Sequence, residues 1–122
     1  MLPEDLERFI RKHVRSLSAL EILLHIYRTR ERSWTADELN RELRSSFQLV
    51  TDVLSKFDRS ELIERDAGGR YQWRPATTEL QHLVARLEEA HTTYPFSVIK
   101  AIYANQVEQI QALADAFKLK KD

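Results

Sequence analysis

A mainly helical domain carrying one short β-hairpin is predicted by three features that follow one another between Trp34 and Pro75. Thr35 and Glu38 stand at capping-box spacing. A second run then places Val50, Val53, Leu54 and Phe57 on one helical face. Last, Leu62-Ile63 and Tyr71-Gln72-Trp73-Arg74 flank the glycine-rich turn Ala67-Gly68-Gly69-Arg70. This order is that of a winged helix-turn-helix, with a short β-hairpin wing and extra N- and C-terminal helices. The Thr35 hydroxyl and the Glu38 carboxylate can each satisfy a backbone N–H, while Trp34 and Leu39 staple across the cap, so a helix is placed at 36–43. The next helix is placed at 46–59 and the hairpin at 62–74.

The remaining elements are read from the same signals. Leu2, Leu6, Phe9, Ile10 and Val14 form an apolar stripe on a helix that begins at Pro3, where a missing N–H costs nothing, and ends before Ser16. Ser18 and Glu21 repeat the capping-box spacing, with Leu17 and Ile22 as staple partners. The helix they open carries Leu20, Leu23, Leu24, Ile26 and Tyr27, apolar enough to be central to the core. Arg28 to Ser33 is a charged connector.

Beyond Pro75, Thr78 and Gln81 mark another helix start, with Leu80, Leu83, Val84 and Leu87 on one face and an end near Thr92. Pro95 opens a helix through Val98, Ile99, Ile102 and Tyr103. Asn105 and Glu108 mark a fresh cap before Ile110, Leu113, Ala114 and Phe117, which predicts a bend near Ala104-Asn105. Lys118 to Asp122 reads as a charged tail. The chain is one domain, with an N-terminal helix in 1–15, a core in 18–75 and a helical extension in 78–117.

Bulk properties narrow the function classes. Lysine plus arginine total 19 and aspartate plus glutamate total 19, so any basic surface must be local. Cysteine is absent, which excludes disulfides and thiolate catalysis. No segment approaches the ~20 apolar residues of a bilayer span, and Met1-Leu2-Pro3-Glu4-Asp5 lacks a basic stretch followed by an apolar one; no membrane role and a cytoplasmic location are expected.

His13, His25, His82 and His91 are scattered singly, so no metal or other cofactor is expected; His25 is read as a partly buried, hydrogen-bonded side chain and the others as surface residues. No nucleophile elbow, phosphate loop or dinucleotide fingerprint occurs, and the chain is expected not to be an enzyme. Tyr71 and Trp73 share one sheet face by period-two alternation and are assigned to packing rather than base stacking.

In a helix-turn-helix the second helix enters the major groove, and side chains off its apolar face meet base edges and phosphates. With Val50, Val53, Leu54 and Phe57 inward, Ser46, Gln48, Leu49, Thr51, Asp52, Ser55, Lys56 and Arg59 take the outer or flanking positions. Gln48 can pair with adenine, Thr51 with a base or a thymine methyl, and Ser45 and Ser46 with phosphate at a helix N-terminus. The DNA-contacting set is therefore Arg44, Ser45, Ser46, Gln48, Thr51, Ser55, Lys56, Arg59, Arg65, Arg70 and Arg74. Against it, Asp52 faces where phosphates would lie, and Asp58, Glu61, Glu64 and Asp66 offset most of the local arginines. A protein-docking module on the same scaffold is the alternative reading.

Residues 34–75 resemble the winged-helix domains of bacterial transcriptional regulators, including the multiple-antibiotic-resistance regulator (MarR) superfamily, through the serine-rich start at Ser46 and the strand Leu62-Ile63-Glu64-Arg65. Asp52 and Glu61 depart from that pattern, Glu61 standing where glycine often turns into the strand. The chain is also similar to a group of small bacterial winged-helix proteins through Tyr71-Gln72-Trp73-Arg74-Pro75, Val98-Ile99-Lys100-Ala101-Ile102-Tyr103 and Ala114-Asp115-Ala116-Phe117-Lys118-Leu119. The resemblance implies binding to double-stranded DNA, regulation of transcription and self-association into a homodimer through the N- and C-terminal helices. The apolar residues Phe9, Ile10, Ile99, Ile102, Tyr103, Ile110 and Phe117 exceed what three helices and a small wing need, and some are expected in an intermolecular seam.

Overall fold

The computed structural model describes residues 2–119, and within them all side chains except those at 105, 108, 109 and 117–119. The chain is mainly helical with a small two-stranded antiparallel sheet. The order is α1 (Glu4–His13), α2 (Leu17–Arg28), α3 (Ala36–Leu43), α4 (Phe47–Arg59), β1 (Ile63–Arg65), β2 (Tyr71–Trp73), α5 (Thr78–Thr93) and α6 (Pro95–Leu119). No helix among the described residues is long and apolar enough to cross a membrane.

Side-chain caps set most helix starts. α1 follows Pro3 and carries Glu4, Asp5 and Glu7 in its first turn and Arg11, Lys12 and His13 in its last, an arrangement that complements the helix dipole. The predicted capping box of α3 is present: Thr35 Oγ1 accepts the Glu38 N–H at 3.1 Å and Glu38 Oε1 accepts the Thr35 N–H at 2.9 Å. Two other caps fall on a neighbouring hydroxyl. Ser16, not Ser18, caps α2 by accepting the Ala19 N–H, because Ser16 has the extended backbone a cap needs whereas Ser18 is already helical. Thr77 rather than Thr78 caps α5, for the same reason.

α2 buries Ala19, Leu20, Ile22, Leu23, Leu24 and Ile26, and the core closes over it with Leu39, Val50, Leu54, Phe57, Leu62 and Val84. The hairpin register is Ile63↔Trp73, Glu64↔Gln72 and Arg65↔Tyr71. Trp73 is buried and meets Tyr27 edge-on at 5.2 Å. Gly69 takes φ 77 in the turn, and Asp66 Oδ1 accepts the Gly68 and Arg70 N–H groups, each at 2.9 Å. One further rung was not expected: Trp34 pairs with Tyr71, each N–H donating to the other's carbonyl at 2.7 Å. The connector before α3 thereby lies along the hairpin.

Three expectations are corrected. α6 runs without a break through Ala104-Asn105, since no proline or glycine interrupts it; the proposed capping side chains Asn105 and Glu108, and Phe117 with them, lie outside the described side chains, as do residues 120–122 of the charged tail. His25 Nε2 is buried without a hydrogen-bond partner among the described residues, and the ring lies tilted against that of Trp34 at 4.9 Å instead. His13 is half-buried against Phe9 rather than at the surface.

The exit from α4 is built on a non-glycine residue in left-handed conformation. Glu61 has φ 63, with its N–H donating to Asp58 O and the Leu62 N–H to Phe57 O. This is a Schellman arrangement, in which buried Leu62 and Phe57 are the usual apolar pair and Glu61 occupies the glycine position. Glu61 is exposed, so its side chain gains nothing from burial to offset the backbone cost. Glu61→Gly is expected to stabilise the fold by about 0.5–1 kcal/mol, the left-handed penalty less the entropy of glycine, read as a higher denaturation midpoint at unchanged slope.

Burial also sets a pH dependence. Desolvation lowers the His25 pKa below 6.5, with nearby Glu42 opposing and Arg28 and Arg32 adding to the effect. Desolvation lowers His13 likewise. A folded-state pKa below the unfolded one means that the contribution is full above pH 6.5 and is lost as pH falls through and below that value, because the unfolded chain then binds protons the folded one resists. Thermal midpoints should drop between pH 7 and pH 5, and His25→Phe, which keeps a ring against Trp34, should flatten that drop.

Candidate nucleic-acid interface

The α3–α4 pair and the hairpin bring together most of the residues singled out for DNA contact. α3 ends at Arg44, which adopts φ 52 and closes the turn as the Ser45 N–H reaches Asn40 O. Ser46 caps α4, its Oγ accepting the Leu49 N–H at 3.1 Å. From there the apolar residues Val50, Val53, Leu54 and Phe57 turn inward and leave Gln48, Asp52, Ser55, Lys56 and Arg59 exposed. Leu49, read from sequence as groove-facing, is half-buried and packs on the core. Phe47, which the sequence reading did not place, is 53% exposed on the first turn.

Several of these side chains are already engaged. The Gln48 amide donates to Asp52 Oδ1 at 3.0 Å, one turn along the same face. The Thr51 hydroxyl donates back to Phe47 O at 2.8 Å and lies 3.0 Å from Gln48 O. Reading a base edge with either would exchange one hydrogen bond for another, so discrimination would come from geometry rather than from satisfying an empty donor.

The hairpin arginines divide by position. Arg65 is exposed near the turn. Arg74 pairs with Glu64 across the strands at 3.0 Å, in an exposed bridge of small energetic consequence. Arg70 turns the other way: its Nε donates to Ser33 Oγ at 2.9 Å, and a terminal N–H group donates to Ser33 O at 3.1 Å and to Glu38 Oε1 at 2.8 Å. Glu38 is held below the usual carboxylate range first by the Thr35 backbone N–H and then, against some desolvation, by Arg70 and Arg32. Arg70 therefore joins the hairpin to the α3 cap instead of reaching outward.

Tertiary packing adds a feature that no sequence signal announced. The ends of α1 and α4 meet at a cleft of about 240 Å³ lined by Lys12, His13, Arg15, Lys56, Arg59 and Ser60. Lys56 and Arg59 are thus gathered with α1 residues at the far end of α4 from Arg44, Ser45 and Ser46. The pattern also suits two helix C-termini, whose carbonyl ends favour cations.

Substituting Arg70 tests its structural role. Arg70→Met should cost about 1–2 kcal/mol through the lost hydrogen bonds to Ser33, and Arg70→Glu should cost more by setting a carboxylate against Glu38. Denaturant unfolding reads both, and wild-type stability in Arg70→Met would refute the clamp.

Among the described residues no group of three or more histidine, cysteine, aspartate or glutamate side chains is placed to hold a metal ion. No protein-family model, curated protein or solved structure matches the chain.

Proposed function

We propose that this chain is a winged helix-turn-helix protein of the MarR-like kind, a non-enzymatic cytoplasmic regulator of transcription that binds duplex DNA as a homodimer. In this reading α4 is the recognition helix, β1 and β2 are the wing, and the connector rung at Trp34 completes a small sheet beside α3. The observation that carries it is the outward face of α4, where polar Gln48, Asp52 and Ser55 succeed one another between the Arg44–Ser46 turn and the basic end at Lys56 and Arg59. Gln48, Thr51 and Ser55 would meet base edges. Arg44, Ser45 and Ser46 would hold phosphates near the start of α4, Lys56 and Arg59 near its end, and Arg65 from the wing. Arg70 and Arg74, engaged with Glu38 and Glu64, support the wing rather than the contact.

A protein-docking role is the second reading, favoured by the exposed ring of Phe47 and by Asp52 and Asp58 on the same helix. Phosphate neutralisation separates the two, because a DNA complex weakens steeply with salt and a docking complex need not.

Selection of genomic DNA fragments by the purified protein at two salt concentrations should retain a roughly palindromic motif. The double variant Arg44→Gln, Arg65→Gln changes two exposed side chains and should keep the fold, weaken binding by at least about tenfold and reduce the salt slope by roughly two. No enrichment at low salt would transfer the assignment to docking.

A further inference from the structure

The outward face of α6 carries a heptad seam. Phe96, Tyr103 and Ile110 stand seven residues apart, Ile99, Gln106 and Leu113 follow each of them by three, and Phe117 continues the spacing in sequence. These are the a and d positions of a coiled coil, sustained over ~25 Å of helix. Val98, and Ile102 at the edge of the seam, are buried and hold the first half of α6 in the domain. Four seam residues stand clear of the domain, Phe96 being 85% exposed, Tyr103 51%, Ile110 67% and Leu113 61%, while Ile99 and Gln106 are half-buried.

We propose that a second copy of this chain covers this seam, two α6 helices forming a short coiled coil. The proposal deepens the homodimer reading by naming its surface, and it stands whether or not α4 meets DNA. The first argument is area. The exposed seam, with Val107 beside it, presents on the order of 600 Å² of apolar surface per copy, close to the ~800 Å² per partner of a stable interface and at the upper limit of what a lone monomer shows.

The second argument is charge. From Phe96 to Phe117 the charged residues are Lys100, at a flanking position near the start of the seam, and Glu108 and Asp115, both at the heptad position opposite it; the other flanking positions hold Ile102, Val107, Gln109, Ala114 and Ala116. With Lys100 the one charged flank and the flanking positions from Ile102 onward neutral, the helix does not set a row of like charges against its own copy, the conflict that a self-pairing coil must avoid.

The third argument is Gln106. An amide at one d layer is costly against an apolar partner, but a second copy supplies an equivalent amide to which it can donate and from which it can accept. It also fixes the register, since sliding the helices by a heptad separates the two amides. A copy of the same chain meets all three requirements at once.

Sedimentation velocity of the full chain without DNA, from nanomolar to submillimolar concentration, tests this directly. Wild type should be a dimer. Ile110→Glu should weaken association by about a hundredfold or more, because each copy then buries a carboxylate in the seam. Gln111→Glu, which adds the same charge away from the seam, should dimerise as wild type does, and Tyr103→Lys should repeat the loss if Ile110→Glu disturbs the helix, with circular dichroism reporting the fold. Gln106→Leu should tighten association by about tenfold or more while broadening the range of assembly sizes. A wild type that stays monomeric would overturn the proposal, as would a dimer indifferent to both seam variants. A monomer that instead sediments with anionic phospholipid vesicles would overturn it too, assigning the stripe to a lipid surface.

Discussion

The backbone pair between Trp34 and Tyr71 is the contact on which the arrangement of helices and hairpin depends. It fixes the connector between α2 and α3 along β2 through two hydrogen bonds of 2.7 Å, and every neighbouring interaction uses that placement. The Trp34 ring is buried, donates from Nε1 to Thr29 Oγ1 at 2.8 Å, lies against His25 and carries the Arg32 guanidinium at 3.5 Å on its face. The next residue, Thr35, caps α3, and the Glu38 that completes the box also receives Arg70 from the hairpin. A short two-stranded ribbon is marginal in water by itself. Here its position is set by a third rung and by the start of α3, so hairpin and helix pair are oriented together.

The other ties are peripheral by comparison. Asp5 and Arg86 form a two-bonded pair between α1 and α5, and Arg28 reaches Glu88 between α2 and α5. All four side chains retain substantial solvent contact, where a bridge orients more than it stabilises. Holding α5 in place falls to Val84 and Leu87, which are fully buried. The division is between a core that supplies the free energy and an outer layer of ion pairs that selects among similar packings.

Much of this was legible in the sequence because caps and periodicity are local. α3 and α4 follow directly from Thr35, Ser46 and the 3.6-residue spacing of Val50, Val53, Leu54 and Phe57. Where two hydroxyls lie close together, as at Ser16 and Ser18 or Thr77 and Thr78, spacing cannot choose between them; the backbone decides, since only the residue still extended can fold its oxygen over the first turn. The Trp34 rung is invisible to any local rule, because a single extended residue has no alternation to detect. The partner of Arg70 was hidden for a related reason: Arg70 closes the glycine turn just before β2, and only the position of Ser33 shows that its side chain turns toward α3. The basic cleft at Lys12 and Lys56 joins residues far apart in sequence, and no spacing predicts it.

The electrostatics bear on how such a surface could recognise DNA. Net charge is zero, and on α4 Lys56 and Arg59 are matched by Asp52 and Asp58. A single α4 would gain little from phosphate neutralisation, the source of most non-specific affinity. Such a helix would discriminate between sequences better than it bound any of them. A coiled coil on α6 would change that balance: once one α4 is engaged, the other is held nearby, and its binding becomes an intramolecular step with an effective concentration set by the geometry of the pair. Weak half-site affinity and an apolar seam on α6 would then be two parts of one design, in which occupancy requires both half-sites at the right separation. On this reasoning the near-neutral surface of α4 argues for a paired reader of DNA as much as against a solitary one.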